Sequence, residues 1–187
     1  MSDSPDLVRD PVCEMRVRSG QHEATHEGSR YAFCSLQCRE RFLARPGLYV
    51  GVRRRPAPKE AGKKLIRRRR VLLGHPLAQA QAAALIAALR EMMGVIDVEC
   101  VEAPIVRGPS SRPARGEPQS PAGIGGIETT YDLLEATMAQ LERRIAEVGG
   151  RFGDGIGAKL GRDFIHYVEE CELEDLESSA APVARAR

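Results

Sequence analysis

Three cysteines near the N-terminus have the residue type and the spacing of a metal-binding site. Cys13, Cys34 and Cys38 follow a Cys-x20-Cys-x3-Cys pattern. Cys34 and Cys38 are four residues apart, so one turn of helix can bring both sulfurs to the same side. The residues between Cys13 and Cys34 need only form a hairpin to return Cys13 to the same place. Converging thiols suit a soft or borderline ion, zinc or copper(I), with one ion per chain.

Two other uses of cysteine compete with this interpretation. Buried cysteines can pack a small core, but a segment of about forty residues rarely folds without a metal or disulfides. Disulfides fit less well, because five cysteines is an odd number and no secretory signal precedes Cys13. The other two cysteines are predicted to be small core residues, Cys100 on the inward face of a strand and Cys171 on the apolar stripe of a helix.

The identity of a fourth ligand is open at this point. His22 and His26 fall in the hairpin between the cysteines, and a neutral imidazole from either would complete a Cys3His tetrahedron. Histidines in hairpins are also commonly solvated, so both are candidates only. Met15 offers a thioether that only a soft ion such as copper(I) favours, and the alternative for it is a core position. His75 is expected to be a solvated loop residue.

The residues around these cysteines also carry a family resemblance. They are the opening Asp10-Pro11-Val12-Cys13-Glu14-Met15, the run from Tyr31 to Cys38, and the closing Phe42, Pro46 and Tyr49. Residues 8–50 resemble the YHS domain, a zinc-finger-like module related to the TRASH family of heavy-metal trafficking, resistance and sensing domains. The resemblance implies a small treble-clef-like fold that binds a heavy metal. The family usually has glycine where this chain has Glu14, so a positive φ there would strain the glutamate.

The whole chain is predicted to be an α+β protein with two units. In the first unit a hairpin around Gly28 precedes a helix over residues 38–43, which ends before Pro46. The predicted divisions are a metal-binding unit over residues 8–50, a basic linker over 51–64, a second unit over 65–177 with a flexible loop at 103–126, and a disordered tail over 178–187.

The second unit has the pattern of a ferredoxin-like βαββαβ fold with an extra C-terminal helix. Predicted strands cover residues 67–73, 95–102, 127–133 and 151–154, and predicted helices cover 77–93, 135–148 and 157–176. The stretch Thr130–Leu133 is similar to part of heavy-metal-associated domains, which bind copper(I) between two cysteines in their first loop. The corresponding loop here, residues 74–79, has no cysteine. This resemblance therefore implies the fold and no second metal site.

Charge is unevenly distributed along the chain. Residues 51–70 contain ten basic residues and one acidic residue, including the arginine runs 53–55 and 67–70. Such runs can bind nucleic acid, but no aromatic residues interleave with them, so a solvated charged surface is the favoured interpretation. The acidic stretch 169–177 could pair with the arginines within the chain or across a homodimer.

These observations favour a binding protein. No catalytic motif is present, and no apolar run approaches the length of a membrane helix, so we expect a soluble, cytoplasmic protein that is not an enzyme. The resemblance implies handling of copper or zinc in trafficking, sequestration or resistance, with a metal-transporting ATPase or another metal-handling protein as partner. The alternatives are an interaction adaptor with a purely structural zinc and, less favoured, a metal-responsive nucleic-acid-binding regulator.

Overall fold

The fold, taken from a computed structural model, is described for residues 7–20, 22–52, 55–102 and 124–180. It mixes helices with antiparallel sheets, as the α+β prediction requires. The strands are β1 Leu7–Arg9, β2 Arg16–Arg18, β3 Ala24–His26, β4 Ser29–Tyr31, β5 Ile66–Leu77, β6 Val95–Glu102 and β7 Ile124–Asp132. The helices are α1 Leu36–Ala44, α2 Gln79–Arg90, α3 Met138–Glu147 and α4 Ile156–Ala180, with a 3-10 turn at Pro46–Leu48.

The N-terminal segment consists of two short hairpins followed by α1. β1 pairs with β2, and β3 pairs with β4 around a turn in which Glu27 and Gly28 both have positive φ. Positive φ at both central residues matches the right-handed twist of a two-residue hairpin. The hairpin predicted around Gly28 is therefore present, and α1 begins two residues before the predicted start of the helix.

The second segment is built on a three-stranded sheet in the order β5-β7-β6, with both pairs antiparallel. A fourth strand was expected over residues 151–154, but only a single bridge forms, between Phe152 and Leu73. One face of the sheet is buried, and Val71, Val98 and Ile127 belong to the same core as the buried leucines of α2 and α3. The strand predicted over 127–133 begins earlier, at Ile124. Residues 124–126, which were predicted to belong to the loop 103–126, are therefore part of β7. Residues 103–123 of that loop lie outside the described residues.

β6 has the predicted bounds. The alternating sequence predicts an inward face made of Ile96, Val98 and Cys100, and this is wrong at two of the three positions. Val98 is buried, whereas Ile96 is 59% exposed and Cys100 is exposed. The register shifts between Val95 and Asp97, so Ile96 is the extra residue of a bulge and has no partner on β7.

The last helix differs from its prediction in length and in the face it buries. It continues to Ala180, so residues 178–180 are helical and not part of a disordered tail; residues 181–187 lie outside the described residues. The predicted buried stripe is largely exposed, with Phe164 at 63% and Tyr167 at 67%, whereas Glu169 and Leu173 are buried. The helix thus packs through a different side and mainly through its second half.

The segment predicted as a basic linker is packed against both neighbouring segments. Ala57, Pro58 and Lys59 are buried. The Lys59 N–H donates to Leu48 O at 3.0 Å, and its ammonium pairs with Glu135. Among the described residues, no helix is long and apolar enough to cross a membrane.

Candidate metal centre

Three sulfurs and one carboxylate converge at the start of α1. Cys13 Sγ lies 3.4 Å from Cys34 Sγ, and Cys34 Sγ lies 3.5 Å from Cys38 Sγ. An oxygen of Asp10 joins them, and the four ligand atoms all lie within 4.8 Å of one another. Cys13 and Cys34 are partly exposed, whereas Asp10 and Cys38 are buried. We call these four residues the Cys3Asp site.

Asp10 organises the loop that presents Cys13. Its Oδ1 accepts the N–H of Val12 at 2.8 Å and that of Cys13 at 3.4 Å. An aspartate that accepts the N–H of the residue two positions later forms an Asx turn. The Glu14 N–H donates to Asp10 O at 2.9 Å, and this hydrogen bond closes the loop. Glu14 adopts φ +66°, so the conformation that favours glycine is present at this position, as its place in the family opening predicted.

The other two sulfurs are placed by the N-terminus of α1. Ser35 is the N-cap of this helix, and its hydroxyl accepts the Cys38 N–H at 3.3 Å. Cys34 immediately precedes the cap and Cys38 lies in the first turn. The two sulfurs therefore meet on one side, as the four-residue spacing predicted.

The pKa values of the three thiols are shifted in different directions. The pKa of the Cys13 thiol is lowered, chiefly because the Cys38 S–H donates to its sulfur. The same hydrogen bond raises the pKa of Cys38, and burial raises it further. Burial raises the pKa of Cys34 to about 11. In the metal-free centre Cys13 is therefore the most acidic of the three thiols.

The donor set fits a thiophilic ion. Two sulfurs bound tetrahedrally to zinc at about 2.3 Å lie about 3.8 Å apart, so the observed separations need to open by only a few tenths of an ångström. The buried Asp10 carboxylate adds an oxygen donor, which suits zinc better than copper(I). The four side chains therefore form a site that can hold a metal ion, with thiolates from Cys13, Cys34 and Cys38.

The histidines proposed as fourth ligands are not part of this cluster. His22 is exposed and has φ +45° in the turn before β3. His26 ends β3, and its ring packs edge-on against Phe42, with the centroids 5.8 Å apart. Met15, considered as a thioether ligand, has a side chain that is 50% exposed. Asp10 was not predicted as a ligand, although an aspartate three residues before a candidate ligand cysteine is a recognisable Asx-turn signal.

The helix that carries Cys38 is bonded directly to the second segment. Gln37 Nε2 donates to Met93 O at 2.8 Å and to Glu135 O at 3.1 Å. Arg41 donates to Leu133 O at 2.9 Å, and the Tyr49 hydroxyl donates to Leu134 O at 2.6 Å. The metal centre is thus supported by the sheet-bearing segment.

A group of cysteines held around a metal-sized space at the start of a short helix defines a thiolate metal-binding module. The family model of the YHS domain matches residues 8–53, about a quarter of the chain. This match covers all four residues of the Cys3Asp site and agrees with the resemblance found in the sequence. Comparisons with curated proteins and with solved structures gave no match.

Proposed function

We propose that this protein binds one zinc or copper(I) ion at the Cys3Asp site and handles that ion inside the cell. The observation that carries the proposal is the convergence of three sulfurs and a buried carboxylate within 4.8 Å. The match to the YHS domain over residues 8–53 supports it. The function is binding and delivery of an ion, in the cytoplasm, rather than catalysis.

The exposure of the sulfurs supports transfer of the ion. Cys13 and Cys34 are partly exposed, so the thiols of a partner can reach the ion from their side. Cys38 is buried and serves as the last ligand to be exchanged. A partner that supplies competing thiols, such as the cytosolic part of a metal-transporting ATPase, fits this geometry.

A structural role for zinc in an interaction adaptor is the second candidate. It is favoured by the hydrogen bonds of Gln37, which lies between Cys34 and Cys38 in the sequence and donates to two backbone carbonyls of the second segment. In that role the ion would remain bound and hold the N-terminal segment in its fold.

The nucleic-acid-binding regulator is less consistent with the charges around the arginine strand. Arg68 pairs with Glu99 and Glu128, and Arg67 pairs with Glu172 at 2.8 Å. These carboxylates neutralise guanidinium groups that phosphates would otherwise contact. We also propose that the second segment is a ferredoxin-like domain whose fourth strand is reduced to the Phe152 bridge.

Titration of the purified full chain with zinc and with copper(I) tests the proposal. We expect one ion per chain in the wild type and loss of binding in Cys34→Ser. The matched control is Cys100→Ser, which removes an exposed thiol far along the chain and should bind normally. Equal binding by wild type and Cys34→Ser would refute the site.

A competing chelator then separates transfer from a structural role. If the ion is cargo, the chelator removes it while amide hydrogen exchange in residues 8–53 stays slow. If the ion is structural, its removal unfolds these residues and exchange becomes fast. A nucleic-acid role predicts salt-dependent DNA retention that is lost when residues 67–70 are neutralised.

A further inference from the structure

The first half of α4 presents an apolar stripe that nothing in the described part of the chain covers. The exposed fractions are 88% for Ile156, 66% for Leu160, 63% for Phe164 and 67% for Tyr167. Large apolar side chains exposed side by side on one helix are unusual in a monomer and mark interaction sites. The helix is meanwhile anchored to its own chain through Leu173 on another face.

The spacing of the stripe is that of a two-helix seam. Within the stripe, Leu160, Phe164 and Tyr167 are separated by four and three residues, and the half-buried Cys171 follows after four more. This is the alternation of the a and d positions with which one helix packs against another. The stripe therefore fits a second helix better than a flat or irregular surface.

Two glycines beside the stripe have no purpose in the fold of the single chain. A Cβ at Gly157 or Gly161 would meet no atom within 4 Å. Glycine inside a helix is less favourable than alanine, so the chain carries a cost here that its own packing does not require. A glycine four residues from another lets a neighbouring helix approach closely.

The exposed area is sufficient for a weak homodimer. Aromatic side chains bury about 150–250 Å² each, so Phe164 and Tyr167 together with Leu160 offer on the order of 500 Å² per chain. Pairing two such stripes would remove on the order of 1,000 Å², the lower limit of a specific interface.

We propose that α4 pairs with α4 of a second copy of this chain, in antiparallel orientation, to form a homodimer. Antiparallel pairing centred between Phe164 and Tyr167 places these two aromatic residues opposite each other across the interface. It also brings Lys159 of one copy within a turn of Glu174 of the other. Both are exposed, and Lys159 has no ion pair with any residue the structure describes. Parallel pairing would instead set the acidic C-terminal halves side by side, where like charges repel.

The mass of the full chain in solution, measured by sedimentation over a wide range of concentration, tests the proposal. We expect a dimer whose dissociation constant rises about tenfold or more in Phe164→Glu, because a charge then enters the seam. The matched control is Ile96→Glu, which replaces an exposed apolar residue of similar exposure on β6 and should leave the dimer intact. A wild-type chain that is monomeric throughout overturns the proposal, whatever else then covers the stripe. An Ile96→Glu variant whose dimer dissociates as readily as that of Phe164→Glu would also overturn the proposal.

Gly161→Leu separates an effect on the interface from an effect on folding. The site is open in the single chain, so the variant should melt no lower than the wild type. The added side chain would nevertheless keep the two helices apart, and the variant should be monomeric. A dimer that tolerates this leucine would contradict close packing at Gly161.

A disulfide cross-link tests the orientation. In a Cys100→Ser background, Leu160→Cys places a thiol opposite Cys171 of the second copy if the helices are antiparallel. Oxidised glutathione, which accepts the two electrons, should then give a covalent dimer that disappears when Cys171→Ser is added. A cross-link that survives Cys171→Ser and joins the two introduced thiols, as identified by mass spectrometry of the cross-linked peptides, would overturn the antiparallel arrangement.

Discussion

Asp10 and Cys34 are joined across the metal centre, because Asp10 Oδ2 accepts the backbone N–H of Cys34 at 2.8 Å. The other oxygen of the same carboxylate holds the Val12 N–H. One buried side chain therefore fixes the distance between the two parts of the chain that supply the sulfurs. A buried carboxylate is costly unless such bonds or a cation compensate its charge.

Removal of this carboxylate should weaken metal binding. In Asp10→Ala we expect the affinity for zinc to fall about 10- to 100-fold, the usual effect of losing a group that orients metal ligands. Asp10→Asn should not restore it, because the amide nitrogen would face a backbone N–H. Competition with a chromophoric chelator measures the affinity. Glu14→Ala is the control, since Glu14 belongs to the same loop and its carboxylate pairs with the exposed Arg9. Equal losses in both variants would contradict a special role for Asp10.

The positive φ of Glu14 makes a second prediction. A non-glycine residue in the left-handed region is strained, so Glu14→Gly should be more stable than Glu14→Ala by about 1 kcal/mol. Both variants lose the ion pair with Arg9, so the difference between them isolates the cost of the positive φ at this residue. Urea unfolding of the metal-free proteins measures it. Equal unfolding free energies would mean that the loop carries no strain at this residue.

The metal centre was predictable where its signal is local. The spacing of Cys34 and Cys38 predicts that their sulfurs share one side of a helix turn, and the structure has them 3.5 Å apart. The contribution of Asp10 was not predicted, because it depends on the N–H of Cys34, 24 residues away. Pairing over that distance is not visible in a short sequence pattern.

In the sheet segment, too, the local sequence pattern predicted the element but not which of its side chains are buried. The alternation in residues 95–102 predicted a strand with the observed bounds, but a bulge at Ile96 turned that residue outward. Helical periodicity predicts that Leu160, Phe164 and Tyr167 share one face, but it does not show whether that face is covered, and the structure leaves all three exposed. Lys59 lies in a segment whose composition predicts a basic linker, yet it pairs with Glu135 in the packed interior.

The bond from Tyr49 to Leu134 should contribute measurably to stability. Tyr49→Phe leaves the buried carbonyl of Leu134 without its partner, so the free energy of unfolding should fall by about 1–3 kcal/mol. Tyr31→Phe is the matched control, because the Tyr31 hydroxyl bonds no other residue that the structure describes. Thermal and urea unfolding of the full chain would show the difference. A loss of similar size in both variants would mean that the Leu134 bond is not its source.

Metal uptake should release protons from the thiols. The pKa of Cys34 is raised to about 11 and that of Cys38 is also raised, so both are protonated in the metal-free centre at neutral pH. Binding of one zinc at pH 7–8 should therefore release at least the protons of these two thiols, and the apparent affinity should rise with pH. Calorimetry in two buffers of different ionisation enthalpy counts them. Binding without proton release would contradict thiolate ligation.

The buried carboxylate of Glu169 should make stability depend on pH. Burial raises its pKa, although it accepts hydrogen bonds from the Tyr131 hydroxyl and from the Met138 N–H at 2.9 Å. The folded state therefore holds this proton more tightly than the unfolded state. Its contribution is largest below the unfolded pKa, near 4.5, and is lost as pH rises through the folded value.

Glu169→Gln removes this ionisation while an amide can keep both bonds. The variant should gain stability relative to the wild type as pH rises from 4 to 8, by about 1.4 kcal/mol for each unit by which the pKa is raised. Urea unfolding at several pH values measures the difference. The control is Asp175→Asn, an exposed carboxylate on the same helix, whose difference from the wild type should stay flat. A flat difference for Glu169→Gln as well would mean that Glu169 carries no burial penalty in the folded protein.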